Sequence, residues 1–245
     1  MLMSVIEGSR SVPAYPELAG KRVLITGLTS ACGVDIVRAF ADHRARLVLQ
    51  LDEMSEKTEA IAEIAAPMAL DIKAFGPVAA EAEAVAQFTR SVMMAFGGLD
   101  VVVNLVPLTV PRLAPTATTA DIERMVVERL MLPCLLSRIA ANRMALVLTE
   151  GLIVNVAMLV PPRVEGPAQA FASVVKAAMT AMTRAQAEEW AGKAIRFNAI
   201  APQTVQVPPK PSLAGEPEVA ALALYLASGR GKALSGLVFE AEPAR

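Results

Sequence analysis

The stretch Arg22-Val23-Leu24-Ile25-Thr26-Gly27-Leu28-Thr29-Ser30-Ala31-Cys32-Gly33 decides the fold. A short apolar run is interrupted at Gly27, and a second glycine, Gly33, opens a helix. A strand turning into a helix through glycines gathers backbone N–H groups and the positive end of the helix dipole at one spot, which suits a phosphate. Ala31 sets a methyl within this turn, which obstructs close approach to the backbone.

Working outward, short apolar runs recur at residues 22–26, 46–51, 68–70, 100–104, 152–156 and 195–200, separated by stretches with helical periodicity such as 78–96 and 122–144. This is a βαβ alternation. Near-continuous branched residues, as in Val101-Val102-Val103, are what a parallel sheet covered on both faces requires, because neither face meets water. The expected fold is α/β, a doubly wound parallel sheet in a single domain over residues 21–245, preceded by a lead-in over residues 1–20 that contains Pro13, Pro16 and Gly20. Two long helices are expected, at about 119–144 and 168–191; the second carries Ala177, Ala178, Ala181 and Ala185, small residues that permit close helix contact.

Composition narrows the function classes. The chain has 245 residues, 54% hydrophobic against 19% charged, with only 4% aromatic, so its core is built from aliphatic residues rather than rings. A net charge of −1, with the signs mixed along the chain, gives no basic stripe for nucleic acid. Cys32, Cys134 and the single histidine, His43, are too scattered for a metal site, and both cysteines are expected to be buried thiols. No apolar run has the length of a membrane span and no signal-type segment opens the chain, so a cytoplasmic protein is expected.

Thr26-Gly27-Leu28-Thr29-Ser30-Ala31-Cys32-Gly33 resembles the TGxxxGxG motif of the short-chain dehydrogenase/reductase family, which has a Rossmann-type fold. Further landmarks follow in the family's order: Asp71 resembles the acid that ends the third strand and contacts adenine, and Asp100-Val101-Val102-Val103-Asn104 the strand leading into the NNAG motif. Gly151-Leu152-Ile153-Val154-Asn155 resembles the fifth strand, Ile195–Ile200 the sixth, and residues 218–228 with 236–240 the closing helix and strand. The resemblance spans residues 20–242. It implies vestigial cofactor positions at Thr26, Gly27, Gly33, Asp52, Asp71 and Asn104. Asp52, near the end of the second strand, would favour NAD over NADP by accepting from a ribose diol and repelling a 2′-phosphate.

The family's chemistry requires a Tyr as proton donor, a Lys four residues later that lowers its pKa, a Ser to orient the carbonyl and an Asn for a water relay. A phenol near pKa 10 is a poor base until a cation stabilises its anion, and the carbonyl oxygen needs fixed donors as it gains charge. Lys176 stands at the Lys position, but Ala172 occupies the Tyr position, Met158 the Ser position and Arg129 the Asn position. The only tyrosines, Tyr15 and Tyr225, lie far from this motif in the chain. Gln203 replaces the Gly that in the family follows Pro202, and two proline-rich stretches, 161–167 and 208–211, suggest stiff surface segments, the latter where the family has its substrate lid.

The expectation is therefore a catalytically inactive homologue with no cofactor, or NAD if any. Its role would be that of a structural or regulatory subunit, paired through its two long helices with an active paralogue in a hetero-oligomeric NAD(P)-dependent dehydrogenase. The alternatives are an oxidoreductase with an unconventional proton donor, such as Lys176, Arg129 or a water held by Glu165, and a module that senses dinucleotide or acyl-CoA. Neither nucleic acid nor membrane is an expected partner.

Overall fold

A computed structural model describes residues 15–108, 118–159, 167–201 and 215–239. Strands β1 (Arg22–Leu28), β2 (Arg46–Leu51), β3 (Asp71–Phe75), β4 (Val101–Leu108), β5 (Gly151–Leu159), β6 (Ile195–Ile200) and β7 (Val238–Phe239) alternate with helices. These are α1 (Val34–Asp42), α2 (Glu56–Ala65), α3 (Ala82–Phe96), α4 (Thr119–Leu146), α5 (Pro167–Trp190) and α6 (Glu216–Ala227). All seven strands form one parallel sheet in the order β3-β2-β1-β4-β5-β6-β7. The direction of winding reverses between β1 and β4, so the crevice at the carboxyl ends of these two strands is where such sheets place their ligands.

The central strands are mostly apolar because alternate side chains enter different cores. Val23 and Ile25 of β1, Leu47 and Leu49 of β2, and Val101 and Val103 of β4 pack with Ile36, Val37 and Phe40 of α1 and Val219, Ala223 and Leu224 of α6. Their neighbours Leu24, Val48 and Val102 point the other way, against Val85, Phe88 and Val92 of α3 and Leu136, Ala140 and Met144 of α4. A third cluster near the carboxyl ends of the central strands joins Val106, Ala157 and Ala199 to Val175 and Met179 of α5. The sheet is thus covered by α1, α2 and α6 on one face and by α3, α4 and α5 on the other.

Two boundaries differ from the sequence expectation. Tyr15 and Leu18, at the end of the expected lead-in, are buried in the first core cluster, so the fold includes residues from Tyr15 onward. The third strand begins at Asp71 rather than ending there. The apolar residues Met68 and Ala69 instead close the turn after α2, where both of their N–H groups donate to the Ala65 carbonyl, at 3.1 and 3.0 Å. The proline-rich stretches 161–166 and 208–211, together with Glu165, Pro202 and Gln203, lie outside the described residues.

Candidate functional site

The glycine loop sits where the sequence places it, between β1 and α1 at the reversal point of the sheet. Gly27 has φ +73° and Gly33 φ +102°, both in the left-handed region. The crowding around them accounts for their identity without a ligand. A Cβ on Gly27 would lie 2.2 Å from the Leu105 carbonyl oxygen, and one on Gly33 would lie 2.3 Å from Leu28 Cδ2 and 2.5 Å from Leu105 Cδ1. Both glycines are needed to bring the loop against β4.

Thr26 and Asn104 turn inward rather than towards the crevice. The Thr26 hydroxyl donates to Asn104 Oδ1 at 3.0 Å, and Asn104 Nδ2 donates to Ser137 Oγ on α4 and to Asn155 Oδ1 on β5, both at 2.9 Å. All four residues are buried. The network pins β1, β4, β5 and α4 together through side chains whose hydrogen-bonding capacity would be costly to leave unmet. Ser137 and Asn155 were not among the site residues expected from sequence; no local pattern marks them, because their partners come from other elements.

The loop's backbone is also largely engaged. The Gly27 N–H donates to the buried Gln50 Oε1 at 2.9 Å, Ala31 N–H donates to Thr29 Oγ1 at 3.3 Å, and Thr29 and Cys32 exchange backbone hydrogen bonds at 3.2 and 3.3 Å. At the start of α1 the Asp35 N–H donates to Glu216 Oε1 at 2.7 Å. Burial raises the Glu216 pKa above the usual carboxylate range, opposed by the N–H groups of Gly33, Asp35 and Ile36 and reinforced by the charge of Asp35. The Cys32 thiol is pushed up to about 12 by burial and by the negative charges of Glu216 and Asp52, so it is an unreactive core thiol. Cys134, expected to be buried, is half-buried.

Of the remaining expected cofactor positions, Asp52 lies exposed just beyond β2, beside the loop, with its N–H donating to the Leu28 carbonyl at 2.8 Å. Asp71 does not join the site. It opens β3 opposite Arg46, the first residue of β2, at the sheet edge away from the glycine loop, and its carboxylate accepts from the Ile72 N–H at 2.8 Å. The residues present therefore do not fit a dinucleotide. The N-terminal end of α1 already holds a carboxylate, and the acid expected to meet adenine lies at the start of its strand rather than at the end.

The positions aligned with the family's catalytic residues come from both faces of the sheet. Met158, on β5, packs with the core beneath α1 and α6, and its neighbour Ala157 is buried against α5. Ala172 lies on α5 one turn before Lys176, which is half-buried and engaged. Arg129 lies half-buried on α4, likewise engaged. Neither tyrosine lies on α5. Tyr15 is buried next to the His43 ring, and Tyr225 lies on α6, across the sheet from α5. Among the described residues no cluster of His, Cys, Asp or Glu could hold a metal ion, and no helix is long and apolar enough to cross a membrane.

The sheet order and its glycine loop define a doubly wound α/β protein of the Rossmann type. The chain belongs to the short-chain dehydrogenase family, whose model matches residues 21–227. Galactitol 2-dehydrogenase (L-tagatose-forming) of Cereibacter sphaeroides is 31% identical, over 90% of this chain and 93% of that protein. The 3-oxoacyl-[acyl-carrier-protein] reductase of Staphylococcus aureus is 27% identical over 74% of this chain and 73% of its own length. Among solved structures, a short chain dehydrogenase from Mycobacterium smegmatis aligns with a TM-score of 0.76 at 25% identity, covering 93% of this chain and 94% of that one. A Burkholderia cenocepacia short chain dehydrogenase, solved in complex with NADP, aligns at 0.75 with 22% identity, covering 92% and 97%.

Proposed function

We propose that this chain is a non-catalytic short-chain dehydrogenase homologue that serves as a structural or regulatory subunit beside an active paralogue in a hetero-oligomeric NAD(P)-dependent dehydrogenase. One observation carries the reading: on α5, Ala172 precedes Lys176 by four residues, so the cation is kept where the phenol it would activate is missing. A methyl group neither donates nor accepts a proton. The hydroxyl that would orient a carbonyl is missing as well, since neither Ala157 nor Met158, near the end of β5, carries one.

Pairing through α4 and α5 is supported by what these helices expose. Val127 and Met131 on α4 and Val174 on α5 are 51%, 39% and 48% exposed, and Ala177, Ala181 and Ala185 continue the exposed side of α5. Apolar side chains next to small ones suit close packing against another helical pair. A sensing role is disfavoured by the same carboxylate that fills the start of α1, and an unconventional proton donor is disfavoured by chemistry. A guanidinium is a poor proton donor, and an ammonium serves as one only when strongly desolvated.

Steady-state turnover tests the reading. The isolated chain is expected to show no NAD(H)- or NADP(H)-linked oxidation or reduction of alcohols, ketones or acyl thioesters, whereas adding it to an active paralogue from the same host changes that enzyme's rate or stability. Turnover by the isolated chain that depends on Lys176 would overturn the reading in favour of an unconventional enzyme.

A further inference from the structure

N–H groups of the glycine loop and of the first turn of α1 are engaged from within the chain. Ala31 and Cys32 both donate to Thr29, through its side chain and its carbonyl, and Asp35 donates to Glu216. This last contact is the shortest of the set, 2.7 Å, and joins residues 181 positions apart. Glu216 is in the first turn of α6, where a carboxylate also complements that helix's own dipole. It reaches α1 because the two helices pack closely: Val219, Ala220 and Ala223 of α6 share a core with Ile36, Val37 and Phe40 of α1, and two of these α6 residues are no larger than alanine. One carboxylate therefore serves two helix N-termini.

We propose that Glu216 is an internal substitute for a dinucleotide's pyrophosphate, occupying the Asp35 N–H at the start of α1 with a negative charge and so excluding NAD(H) from the glycine loop. A pyrophosphate and this carboxylate cannot both sit there, because they compete for that helix end and repel each other. The proposal concerns cofactor exclusion only and does not rest on the subunit reading. A chain that closes its own anion site can still pair with a paralogue, and a chain that binds NADH can do so as well.

Isothermal titration with NADH on the full chain tests this, comparing the wild type with Glu216→Ala, which empties the position, and Glu216→Gln, which keeps its shape but removes its charge. Thermal melts establish that each variant is folded, and if Glu216→Ala is not, Glu216→Gln carries the comparison. The wild type is expected to show no saturable binding, and each folded variant a gain in affinity of at least roughly tenfold. Saturable binding by the wild type as tight as that of the variants, or no gain in either folded variant, would overturn the proposal.

Discussion

Gly27 and Leu105 lie so close that any side chain on Gly27 would collide with the Leu105 carbonyl oxygen, at 2.2 Å, while its φ of +73° disfavours every residue but glycine. The best-kept part of the glycine motif is thus demanded by the junction of β1 and β4. Gly27→Ala is expected to cost about 3 kcal/mol, because neither the backbone carbonyl nor the strand carrying it can move aside cheaply. Chemical denaturation of the two proteins without ligand measures it; a change near zero would mean that the loop relaxes and that the glycine is kept for another reason.

Asn104 holds three buried partners at once. Replacing it by Ala leaves the Thr26 hydroxyl without its acceptor and Ser137 and Asn155 with only the 3.3 Å bond between them, and Asn155 Nδ2 has no partner among the described residues even in the intact protein. The expected loss is about 3 kcal/mol. It should appear in the denaturation midpoint whether or not NADH is added, which separates a structural role from a cofactor role.

The Arg22–Asp100 pair joins the starts of β1 and β4 through two side-chain hydrogen bonds, at 2.7 and 2.8 Å, with the Arg22 N–H adding a third at 2.8 Å. Burial pushes the Asp100 pKa up, but the side-chain and backbone hydrogen bonds from Arg22, with the charges of Arg22 and Lys21, outweigh it and hold the carboxyl below its ordinary value. A depressed folded pKa contributes stability that is full above the unfolded value of about 3.9 and is lost as pH falls through the folded one. Asp100→Asn should therefore destabilise the protein by about 2 kcal/mol near neutral pH, and by progressively less as the pH is lowered below about 4. Urea midpoints measured against pH test this; a parallel loss at every pH would contradict the assignment.

Restoring the missing acid and hydroxyl together, Ala172→Tyr with Met158→Ser, is expected to leave the chain without NADH-dependent carbonyl reduction, because the loop still holds Glu216. Adding Glu216→Ala is expected to be required before any reduction appears. Activity in the double variant alone would show a dormant, open cofactor site.

The central strands were legible because burial on both faces makes them continuously apolar. Residues 195–200 coincide with β6, and Asp100-Val101-Val102-Val103-Asn104 leads into β4. The edge strand β3 was not. It pairs only with β2 and is largely exposed, so its own residues lack an apolar pattern, and Met68 and Ala69 in the preceding turn supplied a false one. The helical period read from residue 78 begins only at Ala82, since Val78 packs against the core ahead of α3. Ala172 and Met158, expected at the family's Tyr and Ser positions, lie on α5 and β5. Nothing near Glu216 in the chain foretells its contact with Asp35, and nothing near Gln50 foretells its bond to Gly27; both depend on elements brought together only by the fold.

Native mass spectrometry of the protein isolated at its natural level from its own host measures both the assembly mass and any second chain. A mixed assembly containing another short-chain dehydrogenase is predicted; an assembly whose mass is accounted for by this chain alone would contradict it.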